Sequence, residues 1–93
     1  MDHAGYKKLA DFRDLIEDSL RELRAASNQS SLTRAIETLA PRWEPVDAEF
    51  HALLRSVGQK AWSLRFNQVQ PYAQAIVQHL EGELERVQSE LVV

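Results

Sequence analysis

Ala61-Trp62-Ser63-Leu64-Arg65-Phe66-Asn67-Gln68-Val69-Gln70-Pro71-Tyr72-Ala73 is the stretch on which the fold turns. Apolar residues at three- and four-residue steps run into it from both sides. Val46, Phe50, Leu53, Val57, Ala61 and Leu64 precede the turn, and Ala73, Val77, Leu80, Leu84, Val87 and Leu91 follow it. That period marks a helix with one buried face. Residues 45–92 therefore form either one kinked helix or two helices folded against each other, since proline kinks a helix where it does not end one. An unbroken rod would be about 70 Å long at 1.5 Å per residue, more than a monomer of this size covers. Turning the chain at residues 66–70, with Pro71 opening the next helix, sets Leu64 against Ala73, Val57 against Leu80 and Leu53 against Leu84. It also sets Phe50 against Val87 and Val46 against Leu91, so every pair is apolar. The hairpin is the expected form.

Working outward, residues 3–26 read as a long helix with Tyr6, Leu9, Phe12 or Arg13, Ile16, Leu20 and Leu23 on one face, and Asp2 is placed to cap it. Residues 27–31 form a polar break that supplies an N-cap serine. A short helix over about 31–40 follows, carrying Leu32, Ala35, Ile36 and Leu39. Pro41 and Pro45 make an extended elbow, because the residue before a proline avoids the helical region. A third helix runs over 45–66, weakened at Gly58 by about 1 kcal/mol relative to alanine. The expected architecture is all-α. It is a single domain over 1–93, a small antiparallel bundle of three long helices with the short one as a lid across one end, and dimerisation is a further option.

Composition narrows the chemistry. The chain of 93 residues has no cysteine and a net charge of −3. Disulfides, thiolate-bound metals and thiol catalysis are excluded. A mildly acidic balance disfavours general nucleic-acid binding. No apolar stretch follows Lys7 and Lys8, so no secretion signal is expected, and no window is apolar enough to span a membrane. A cytoplasmic location is the expectation.

No pattern of an active site emerges. Glycines 5, 58 and 82 are scattered singly, and no Ser-His-Asp grouping with a turn motif is present. His51 pairs with Asp47 and His79 with Glu83 at a four-residue spacing. In the hairpin register, however, the two pairs lie about two helical turns apart, so neither a metal nor a cofactor is expected.

What remains is surface. Trp43 sits in the proline elbow, as a plug for the bundle end or as an exposed anchor, a residue type enriched in binding hot spots. Trp62 widens the apolar face of the third helix toward the first, flanked by Arg65 and Phe66. Leu84, Val87 and Leu91 form a heptad ridge on the last helix, either buried on the third or pairing with another chain. Glu81, Glu83, Glu85 and Glu90 crowd the unfavourable pole of that helix, where basic groups of a partner would offset them. These features point to a non-catalytic interaction module of regulator, inhibitor, adaptor or chaperone type, binding a protein partner or a second copy of itself, with a dimer expected. A nucleic-acid-binding accessory protein is the first alternative. Residues 50–80 hold no acid but carry Arg55, Lys60 and Arg65 among aromatics. The five-residue spacing of those cations makes them spiral, so nucleic acid is not the expected partner. A structural subunit of a larger assembly is the second alternative.

Overall fold

The computed structural model describes residues 3–92, with side chains from Gly5 onward. Four helices account for nearly all of them: α1 His3–Ala25, α2 Gln29–Trp43, α3 Ala48–Ser63 and α4 Phe66–Val92. No strand is present among the described residues. The expected cap at Asp2 lies outside them. No described helix is long and apolar enough to cross a membrane.

The joints are set by local hydrogen bonding. Asn28, rather than a serine, caps α2: its side chain accepts from the Ser31 N–H at 2.8 Å. The Ser31 Oγ in turn accepts from the Asn28 N–H at 3.1 Å, completing a capping box. Asp47 caps α3 by accepting from the Phe50 N–H at 3.1 Å, so α3 begins three residues after the expected Pro45. The turn between α3 and α4 is only Leu64-Arg65. Leu64 is extended and donates its N–H to the Lys60 carbonyl at 2.8 Å, and the Gln68 side chain accepts from the Arg65 N–H at 3.0 Å.

Both α2 and α4 run through a proline. Pro71 stands in the second turn of α4, where the one carbonyl it leaves without a donor, that of Asn67, belongs to an exposed residue that water reaches. Pro41 stands in the last turn of α2. The cost there is offset by what lies around it, since Ala40 and Trp43 are both buried. The expected elbow at Pro41 is thus a continued helix. The second helix is no short lid: its 15 residues nearly match the 16 of α3.

Short connections make sequence neighbours antiparallel. Helix α1 packs on α2, α2 on α3, α3 on α4, and α4 back on α1, with the α2–α3 and α1–α4 pairs the most extensive. The hairpin of α3 and α4 is present, but its register differs from the expected one. Phe50 stacks on His79 at 5.7 Å between ring centroids and does not oppose Val87. The cause is the position of the turn. Moving it from residue 68 back to Leu64-Arg65 slides every opposing position by about two helical turns. The C-terminal turns of α4 therefore run past the start of α3 and lie along α1. The buried row of α3 is Phe50, Leu54, Val57 and Ala61, so Leu54, at 0% exposure, takes the core place expected of Leu53, which is 53% exposed.

Trp43 ties the assembly together. It is 2% exposed and meets Phe12 of α1 edge-on at 5.8 Å and Phe50 of α3 at 4.4 Å. Its indole N–H donates to the Ser19 Oγ at 2.8 Å, and that hydroxyl donates to the Leu15 carbonyl at 2.7 Å. No buried side-chain nitrogen or oxygen lacks a partner among the described residues. Replacing Ser19 by alanine leaves the buried indole N–H without an acceptor. The Ser19→Ala variant is expected to lose about 1–3 kcal/mol, read in urea unfolding as a lower midpoint at unchanged slope. A variant as stable as wild type would show that this hydrogen bond is not needed.

At the surface of the same joint, Asp18 binds Arg42 of α2 at 3.1 Å and Arg21 of its own helix. The hydrogen bond from Arg42, with the help of Arg21, lowers the Asp18 pKa below its ordinary 3.8. A carboxyl lowered on folding contributes stability above its unfolded pKa and loses it as pH falls through the folded one. The stability of Asp18→Asn should therefore be below wild type at neutral pH and converge with it below pH 3.8. A constant difference between the two unfolding curves across the acid limb would contradict this assignment.

Candidate docking surface

Of the residues singled out in the sequence, Trp43 and Val87 lie in the core, so Trp43 is the plug and not an exposed anchor. Leu84 and Leu91 are half-buried and pack against that core, as does Phe66. Arg65 is exposed at the α3–α4 turn. Trp62 is 74% exposed. It stands over the groove between α2 and α3 and not on the side of α1, because α2 occupies the place beside α3 that α1 was expected to fill. The set does not converge on one patch.

The acidic end of α4 is largely matched within the chain. Glu81 receives Arg24 of α1 at 2.9 Å, and Arg86 holds Glu83 at 2.6 Å and Glu90 at 3.2 Å. The hydrogen bond and charge of Glu83, then those of Glu90, raise the Arg86 pKa further. The crowding at the negative helix pole is relieved without a partner's cations.

Two grooves flank α3. The one toward α2, about 310 Å³, is bordered by Trp62, Pro41, His51, Arg55, Glu37 and Glu44, a mixture of charges around an aromatic wall. Gly58 allows its helices to approach. A Cβ there would lie 3.1 Å from the Ile36 Cγ2, closer than packed carbons ordinarily come. The groove toward α4, about 220 Å³, differs in character. Phe50, Val57 and Ile76 form its floor, and Leu53, Tyr72 and Ala75 stand on its walls. Leu53 and Tyr72 are about half exposed, and Val46 is exposed just before α3. Lys60 is the one residue of fixed charge lining it, with Nζ 5.1 Å from the centre of the Tyr72 ring. The sequence pattern does not reveal this groove, because the helical period puts Leu53 in the core row. The signal that would have found it is the adjacent Leu54, which fits the same helical period.

The cations of the acid-free stretch do not form one strip. Arg55 faces the α2 groove, Lys60 the α4 groove, and Arg65 the turn. His51 approaches Glu44 at 3.9 Å while His79 stacks on Phe50. Among the described residues no three His, Cys, Asp or Glu side chains gather as metal ligands do. The chain matches no known family, no characterised protein and no solved structure.

Gly58 supplies a test of the α2–α3 contact. Alanine there gains about 1 kcal/mol of helix propensity, which the Ile36 methyl opposes. Leucine at position 36 lacks the branch at Cβ. The gain from Gly58→Ala is expected to be larger in an Ile36→Leu background than in wild type, measured as the coupling in a double-mutant cycle of urea midpoints. Additive effects would mean that the close approach does not constrain the pair.

Proposed function

We propose that this chain is a non-catalytic helical interaction module, and that the groove between α3 and α4 is its docking surface. The observation that carries the reading is the placement of Leu53 and Tyr72. Two large apolar side chains, each about half exposed, line one groove over a floor of Phe50, Val57 and Ile76. Single exposed apolar residues are ordinary, whereas an apolar trough rimmed by polar groups is the form that receives the apolar face of an amphipathic segment. Leu53 leaves about half of its surface uncovered in the monomer. Covering its remaining surface supplies about 25 cal/mol per Å² of buried apolar area.

With this reading goes the proposal of a cytoplasmic regulator, inhibitor, adaptor or chaperone, classes that need a surface and no reactive group. A permanent subunit of a larger assembly differs from these only in the lifetime of the contact. Nucleic-acid binding is not favoured, because Arg55, Lys60 and Arg65 face different directions.

A photoreactive phenylalanine analogue placed at position 53, and at the exposed Thr38 of α2 as a control, tests the surface in the native host. Adducts are expected from position 53 and not from position 38. Equal labelling at both positions, or none at either, would overturn the assignment of the groove.

A further inference from the structure

Resting on the groove as a docking surface, we infer that its occupant is a second copy of this chain, packed with its α3 antiparallel to the first across a two-fold axis. The argument starts from the outward side of α3. Glu49, Leu53, Ser56 and Lys60 recur at steps of four, three and four, which puts them on one stripe of the helix. Glu49 and Lys60 stand at its two ends, separated by about three turns, or roughly 16 Å. They are the only charged members of the stripe.

Those charges favour one occupant. An acidic partner helix would satisfy Lys60 and oppose Glu49, and a basic one would do the reverse. A second copy satisfies both. The point midway between Glu49 and Lys60 is also midway between Leu53 and Ser56. A two-fold axis through that point sets Glu49 against Lys60 of the second copy, twice, and Leu53 against Ser56 of the second copy, twice. This is the self-complementarity that a two-fold interface demands, in which residue i meets j and j meets i. The two Leu53 side chains then lie within one turn of the axis and cover each other.

The neighbouring helix admits the arrangement. The stacking of Phe50 on His79 fixes the register of α4, and it brings Ala75 level with the axis. A methyl side chain at that point lets the second α3 approach the groove. Tyr72 sits beside Lys60 and already holds its cation over the ring. A carboxylate from Glu49 of the second copy approaches from the open side and leaves that contact in place. The apolar residues supply affinity, and the paired charges set orientation and partner choice. One stripe of α3 and one flank of α4 amount to a small interface, on the order of 500 Å² per copy, so the dimer is weak and concentration-dependent.

Charge reversal tests the geometry, since Glu49 is exposed and Lys60 only partly covered. Light scattering of the wild type from about 10 µM to about 1 mM, the range in which small interfaces associate, should show the mass rise from 10.6 kDa toward twice that value. Glu49→Lys and Lys60→Glu should each weaken the dimer by about tenfold or more, with unchanged circular dichroism. An equimolar mixture of the two variants should recover association as a heterodimer, and the double variant should recover it as a homodimer. A wild type that stays at 10.6 kDa throughout would overturn the inference, as would single variants that dimerise like wild type or a mixture no better than its components. The photoreactive position 53 separates this failure from that of the groove itself. Adducts joining two copies support self-association. Adducts to a different polypeptide overturn it and leave the groove standing, and no adduct overturns both.

Discussion

The hydrogen bond from the Trp43 indole to Ser19, buried where three helices meet, sets the terms for the rest of the fold. A chain of this length buries only about two-thirds of its surface, so its core is thin and one tryptophan is a large share of it. Burial of the ring supplies the energy, and the N–H supplies the direction. A polar donor in a dry site must find an acceptor, and Ser19 offers one on a single side of α1. The serine hydroxyl is itself held by the Leu15 carbonyl, so the acceptor cannot swing away without a further loss. Trp43 therefore has one orientation, and with it α2 has one position against α1.

The remaining architecture follows in order. For Trp43 to reach Ser19 from helical backbone, α2 must continue through Pro41. A full-length α2 then stands between α1 and α3 and becomes the main partner of α3. Helix α1 finds its long contact with α4 instead. With its core row turned toward Phe50, Leu54, Val57 and Ala61, α3 shows Trp62 to the α2 side and Leu53 to the α4 side. Both grooves beside α3 are consequences of where α2 had to lie.

The helical class, the hairpin over residues 45–92 and most of the core rows were legible in the sequence, because they rest on a period repeated many times. The errors fall where one local rule met a stronger distant interaction. The aversion of a residue to precede proline is real, but at Ala40-Pro41 it is outweighed by the burial of Ala40 and Trp43. The start of α4 carries no serine, threonine or aspartate to announce it, since its first turn is closed by Arg65 and the Gln68 side chain. Pro71 is then the only start signal in the sequence, yet it stands in the second turn, and the register of the hairpin shifts with it. At α3, the steps Phe50–Leu53–Val57 and Phe50–Leu54–Val57 fit a helical period equally well. Only the position of α2 decides between them, and that position was hidden in the fate of Pro41.

That last ambiguity is also where shape becomes surface. Leu53 and Leu54 are chemically identical neighbours, and a helix buries one face, so one of the pair had to point away from the core. Leu53 is the one that does, and it leaves about half of its apolar surface in water. Across the groove Tyr72 is likewise about half exposed, with the Lys60 cation over its ring. A single residue of this kind is unremarkable on any protein. Two of them lining one groove over a floor of buried side chains, beside an α3 stripe whose two charges are opposite and symmetrically placed, form the pattern on which the docking proposal rests. Folding explains the floor of the groove, and the docking proposed above supplies a reason for the walls.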